Sequence, residues 1–214
     1  MPKLWEESID SHRRAVRDAI TEAAWHLAEE HGPLALTMSQ VAKAAGIGRA
    51  TLYKYFTDVE SILVAHHARH VEGHLQTLDD LRRDSEPVSS RLVAVVRAYA
   101  SICFHRQQHV STDVRALVHR GPEVADAEDR LRRVFAELIE EAAEDGLVRT
   151  DVSVDELAWY CLYALPAAGQ AADPDQVGRL VRVVLDGLGC AKDVSEGDQV
   201  AAAISPVGQA PEQH

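Results

Sequence analysis

Arg49, Thr51, Tyr53, Lys54 and Tyr55 fall within one short stretch of the segment Thr37–Phe56, which reads TMSQVAKAAGIGRATLYKYF. A guanidinium, a hydroxyl, two phenols and an ammonium are donors that phosphate oxygens and base edges accept from. Arg49 is long enough for a bidentate contact with guanine, and Ala50 and Thr51 are small enough to pack on a thymine methyl. Tyr53 and Tyr55 offer hydroxyls to phosphates, and Lys54 a charge. Gly48 and Arg49 fall at a helix N-terminus, where unsatisfied N–H groups and the helix dipole favour a phosphate. Thr37 and Ser39 open the preceding helix and are placed to donate to a nucleic-acid backbone. Leu52 and Phe56 read as packing residues.

A second group is histidine-rich. His66, His70 and His74 are four apart with His67 beside them, and His105 and His109 are four apart further on. Histidines at i and i+4 can chelate zinc from one helix face. On a helical wheel His67 and His74 border an apolar stripe, while His66 points largely away. No acidic or cysteine partner is visibly positioned to complete a set, so the reading is a polar flank with no metal ligand assigned, and imidazole charging leaves a pH response as a milder alternative.

The elements that must carry these groups are helical. A first helix is expected over about Asp10–His31, with Val16, Ile20, Ala23, Ala24 and Leu27 on one face, stopped by Gly32–Pro33. Thr37 and Gln40 form a capping box for the second helix, Gly46 makes the turn, and a third helix runs from about Gly48 to Phe56. Asp58 caps a fourth reaching about Arg83, with the stripe Val64, Ala68, Val71, Leu75, Leu78. A fifth starts near Ser89 and carries Leu92, Val96, Tyr99 and Cys103; a short sixth spans about Val110–His119, and a seventh about Glu123–Asp145. Ser153 and Glu156 cap an eighth to about Ala171, apolar almost all round from Leu157 to Ala168, so that it needs covering on more than one side. Asp173–Pro174–Asp175–Gln176 starts a last helix bearing Val177, Val181, Val184 and Leu188. The expectation is an all-α chain of about nine helices: a DNA-binding unit at 10–57, a body at 58–190 and a disordered tail at 191–214.

A net charge of −12 argues superficially against a nucleic-acid partner. Its distribution does not: residues 12–56 hold six Lys or Arg against four acids, so the acidity resides in the rest of the chain. Cys103, Cys161 and Cys190 lie far apart without a CxxC pair, which fits a reduced cytoplasmic protein. No secretion signal or membrane-length apolar run is present. There is no nucleophile elbow, glycine-rich phosphate loop or HExxH pair, so no enzyme and no cofactor are expected.

The run Arg13–Leu63, RRAVRDAITEAAWHLAEEHGPLALTMSQVAKAAGIGRATLYKYFTDVESIL, resembles the TetR family of bacterial transcriptional regulators. The resemblance rests on the first-helix pattern, the VAKAAGIGRATLYKYF core and the LY-x-YF ending. It implies DNA contacts at Thr37, Ser39, Gly48, Arg49, Ala50, Thr51, Tyr53, Lys54 and Tyr55. It also implies a homodimer through the last two long helices, a near-palindromic double-stranded operator, and a small-molecule inducer pocket in the body. Tyr99, Cys103, Phe104, Trp159 and Tyr163 are the candidate lining groups. One departure stands out: the lysine usual three residues after the final Phe is here Val59, which removes one phosphate contact. A ligand-responsive repressor is therefore expected. The alternatives are a metal- or pH-responsive DNA-binding protein using the His-rich fourth helix, or an enzyme with a look-alike motif.

Overall fold

The computed structural model describes residues 3–109 and 122–189. Among them it is all-α, with no strand and eight α-helices: α1 Lys3–His31, α2 Met38–Ala44, α3 Arg49–Leu52, α4 Val59–Arg82, α5 Val88–His109, α6 Pro122–Glu144, α7 Val154–Ala164 and α8 Pro174–Leu188. The short helix expected near Val110–His119, Cys190 and the 191–214 tail lie outside the described residues. No described helix is long and apolar enough to cross a membrane.

Local chemistry sets most boundaries. Thr37 and Ser153 each close a capping box, with Gln40 and Glu156, and Asp58 does the same with Ser61. Asp173 accepts from the Gln176 N–H at 2.8 Å, while the Gln176 side chain reaches past the cap to accept from the Ala172 N–H. Three helices differ from expectation. α1 begins at Lys3 and not near Asp10, since no glycine or proline between them interrupts it. α7 is α-helical only to Ala164 and continues as a 3-10 segment over Leu165–Gln170. Pro166 lacks the N–H that would bond the Leu162 carbonyl, so the α ladder cannot pass it. α3 ends at Leu52, and the following turn tightens through Lys54 N–H to Thr51 O (3.1 Å) and Tyr55 N–H to Leu52 O (2.9 Å).

Two hydrophobic cores follow. The N-terminal one gathers Ile20, Ala24 and Ala28 of α1, Val41 and Ala42 of α2, Leu52 of α3, Phe56, and Ile62 and Leu63 of α4. The C-terminal one takes Leu75 and Leu78 of α4 with the inner faces of α5 to α8. α4 is thus a shared strut, one half in each core, and a boundary at residue 57 would split the first. Its apolar face rotates along its length. Ala68, expected on the stripe, is exposed, and His66, expected to point away, is 2% exposed against α1. Ion pairs tie α4 to the body: Arg82 with Glu137, and Arg130 with Glu72 at 2.5 Å.

Candidate nucleic-acid interface

The turn between α2 and α3 depends on one backbone conformation. Gly46 has φ 69°, its N–H bonds to Lys43 O at 3.2 Å, and Ile47 N–H reaches back to Ala42 O at 3.0 Å. That double closure satisfies α2's terminal carbonyls and turns Ile47 toward the N-terminal core. From below, α3 is held by Leu52, fully buried, and by Phe56, 5% exposed, with the Arg17 guanidinium 4.5 Å above the Phe56 ring.

What faces outward is a contiguous stretch of the chain. Thr37, Ser39, Gly48, Arg49, Ala50, Tyr53 and Lys54 are exposed, Tyr53 at 49% although it is a large aromatic. Thr51 is half-buried. Tyr55 is half-buried too and packs against the N-terminal core, so its ring is shared between packing and surface. The Thr37 hydroxyl donates to Gln40 Oε1 at 2.6 Å, which spends its proton on the cap and leaves it an acceptor. α3 has four residues, so the dipole argument for a phosphate at Gly48 and Arg49 loses most of its weight. Lys43, absent from the expected contacts, is exposed in the last turn of α2.

Several arginines are neutralised within the fold, whereas the cations here are not, a property they share with Arg179 and Arg182 of α8 among the described residues. Arg69, Arg82, Arg91, Arg130, Arg132 and Arg149 all sit in ion pairs with carboxylates. Lys43, Arg49 and Lys54 make no ion pair within the described residues. Unneutralised cations on an exposed short helix and its predecessor are what a phosphate backbone attracts. Val59, in the place of the missing lysine, is half-buried against the N-terminal core.

The five groups expected to line a ligand pocket divide into two sets. Cys103 and Phe104 of α5 are buried, and Tyr99 of the same helix makes an edge contact with Phe135 at 5.8 Å between centroids. Burial pushes the Tyr99 phenol above its ordinary value and also raises the Cys103 thiol, so both stay neutral. Trp159 and Tyr163 stack on each other at 5.4 Å on α7, 37% and 69% exposed. Rings so exposed do not wall a cavity inside one protomer. A cleft between α4 and α6, lined by Leu75, Asp79, Arg82, Arg130, Val134 and Glu137, includes none of the five.

The histidines on α4 also found partners that the sequence reading did not see. His66 Nε2 lies 3.2 Å from His70 Nε2 and 3.5 Å from Glu22 Oε2 of α1, and Trp25 stacks on its ring at 4.3 Å. Burial first, then the positive charges of His70 and Arg69, push His66 down to about 3, so its ring is neutral. Its Nδ1 is buried without a hydrogen-bond partner.

Comparison with known proteins follows the same division of the chain. Residues 20–65 match the family model described as bacterial regulatory proteins, tetR family. Residues 90–190 match the model of the C-terminal domain of SbtR-like transcriptional regulators. An uncharacterized HTH-type transcriptional regulator of Mycobacterium tuberculosis is 43% identical over 49 residues, 23% of this chain and 24% of that protein. The HTH-type transcriptional regulator BetI of Rhizobium meliloti is 35% identical over 65 residues, 30% of this chain and 29% of that one. The matches therefore span less than a third of either relative. A TetR/AcrR-family transcriptional regulator from Thermobifida fusca superposes with a TM-score of 0.68 at 19% identity, covering 80% of this chain and 97% of that chain. That likeness is one of fold.

Proposed function

The chain belongs to the TetR family of bacterial transcriptional regulators, a DNA-binding and non-enzymatic family, and from that premise we propose that it is a ligand-responsive repressor acting as a homodimer on a near-palindromic operator. The observation that carries the reading is the set of exposed cations and hydroxyls along α2, α3 and the turn that follows, standing on a core that fixes both helices. Arg49 reads a base edge, while Lys54, Lys43 and the Tyr53 hydroxyl hold phosphates. Thr37, Ser39, Gly48, Ala50, Thr51 and Tyr55 complete the contact surface. Thr37 reaches a phosphate through water, since its proton is engaged by Gln40.

Two protomers would present their recognition helices about one DNA turn apart, roughly 34 Å. α7 and α8 leave Trp159, Tyr163 and Val183 exposed, an unusual cost for a free helix pair and a fit to a second copy. α4 gives the response its physical route. A ligand held beside Tyr99, Cys103 and Phe104 acts, through Cys103 and Tyr99, on the core that contains Leu75 and Leu78, while the other half of the same helix carries Ile62 and Leu63 of the DNA-binding unit. A tilt of α4 therefore alters the separation of the two recognition helices, and bound DNA tolerates only one separation.

A gel-shift assay against the region upstream of the protein's own gene tests the reading. Retardation at low salt that requires an inverted repeat supports it; its absence ends the repressor reading, and retardation indifferent to the repeat points to architectural binding. Arg49→Ala should relax preference at one operator position, by about 1–3 kcal/mol of discrimination. Lys54→Ala should weaken all sequences alike and lower the slope of log affinity against log salt by about one. Equal loss of preference from both would contradict the roles assigned.

A further inference from the structure

We infer that Glu22, His66 and His70 form a site for a divalent transition-metal cation of the zinc type, which clamps α1 to α4. One ligand atom from each of the three lies within 4.8 Å of the others. Zinc bonds of about 2.0–2.1 Å in a tetrahedron place neighbouring donors about 3.3–3.4 Å apart. The separations of 3.2 Å between the two Nε2 atoms and 3.5 Å from His66 Nε2 to Glu22 Oε2 bracket that edge. The third edge, from His70 to Glu22, lies within 4.8 Å, so an ion would draw these two side chains together about His66, with a fourth position left for water.

The donor set suits the ion. Two imidazoles and a carboxylate are borderline ligands, matched to zinc, nickel or copper and poorly to magnesium or calcium. Neighbouring side chains hold two members of the set in place. Arg69 donates to Glu22 Oε2 at 3.0 Å and pairs with Asp18 at 2.7 Å, holding the carboxylate over the histidine pair. Trp25 covers His66 and fixes its ring plane. The 2% exposed His66 ring turns its Nε2 toward a second imidazole nitrogen and a carboxylate, the three donors that an ion would take together.

The position gives the site a consequence, which rests on the operator reading. Glu22 belongs to the first helix of the DNA-binding unit and the histidines to the strut that reaches the body. An ion between them fixes the angle at which the recognition helix is carried, so metal supply would act on DNA affinity separately from any body ligand.

The test uses metal-stripped, full-length protein titrated with Zn2+ by calorimetry, beside His70→Ala and Glu22→Gln. Both substituted side chains reach the surface, and metal-free melting curves verify that the variants fold. One Zn2+ per protomer, bound about tenfold or more weaker in each variant, is the expected result. No binding at micromolar zinc, or binding undiminished in both variants, overturns the site. The same proteins are then mixed with a fluorescent duplex from the upstream region. Zinc should change wild-type affinity about fivefold or more and leave the variants unmoved; wild-type affinity indifferent to bound zinc overturns the clamp. A protein that takes zinc through these residues yet never binds duplex supports the site and contradicts the operator reading instead.

Discussion

Asp58 illustrates how one side chain can set where the strut begins. Its carboxylate accepts the Ser61 N–H at 2.7 Å and the Thr57 hydroxyl at 2.9 Å, while the Ser61 hydroxyl donates to its carbonyl at 2.8 Å. The Ser61 N–H, followed by Thr57, holds the acid below its ordinary value of 3.8. A carboxyl lowered on folding binds fewer protons in the folded chain than in the unfolded one, so its contribution is complete above the unfolded value and fades as pH falls through the folded one. Asp58→Ala should therefore cost about 1 kcal/mol at neutral pH, the usual worth of such a cap. Urea denaturation of both proteins should find the gap narrowing below about pH 4, where the wild-type acid begins to be protonated in the unfolded chain. A gap that stays constant into strong acid would mean that the charge contributes nothing. Residue chemistry of this local kind is legible in a sequence: Thr37–Gln40 and Ser153–Glu156 are partners three apart, and the chain itself brings them together. Glu22 and His66 are not, and only the packing of α1 on α4 joins them.

Among the elements, the α2–turn–α3 unit depends on a single left-handed residue. A Cβ on Gly46 would meet nothing within 4 Å, so its substitution has no steric consequence beyond the backbone itself. Gly46→Ala should then cost about 1–2 kcal/mol, the penalty of a left-handed conformation for an L-residue. A thermal midpoint unchanged by the substitution would contradict that account. Gly187 presents the opposite case: its φ is unexceptional, but a Cβ there would stand 2.6 Å from the Tyr160 hydroxyl, so a side chain at 187 requires that ring to move. The turn was readable because glycine after a short helix has one common use. The failures were at longer range. α4 faces two cores in succession, so no single stripe describes it, and Ala68 is exposed while His66 is buried. α3 was drawn too long because its apolar pair, Leu52 and Phe56, fits both a continued helix and the tightened turn that is observed.

For the molecule as a whole, the question is what covers the outer face of α7. Within the protomer, Leu157, Ala158, Cys161, Leu162 and Leu165 are buried, whereas Trp159 and Tyr163 are left stacked at the surface, met from one side by Arg132 at 5.9 Å and Glu128 at 3.4 Å. The apolar character of this helix in the sequence demanded two covers, and the protomer supplies one. In the proposed homodimer a second copy of the chain would provide the other, and Val183 of α8, 61% exposed, adds to the surface available. Replacing Trp159 and Tyr163 together by Asp places charges where the two copies meet, and a buried unpaired charge is far more costly than the lost apolar contact. The double variant should sediment as a monomer while its helical circular dichroism and melting remain close to those of a folded protomer. Its affinity for an inverted repeat should fall about a hundredfold or more, since the second half-site is then no longer bound at the high effective concentration that a tethered partner provides. Affinity for a single half-site should scarcely change, because α2 and α3 are untouched. A variant that remains dimeric would place the interface elsewhere, and one that is monomeric yet binds the repeat as tightly as wild type would separate dimer formation from operator recognition.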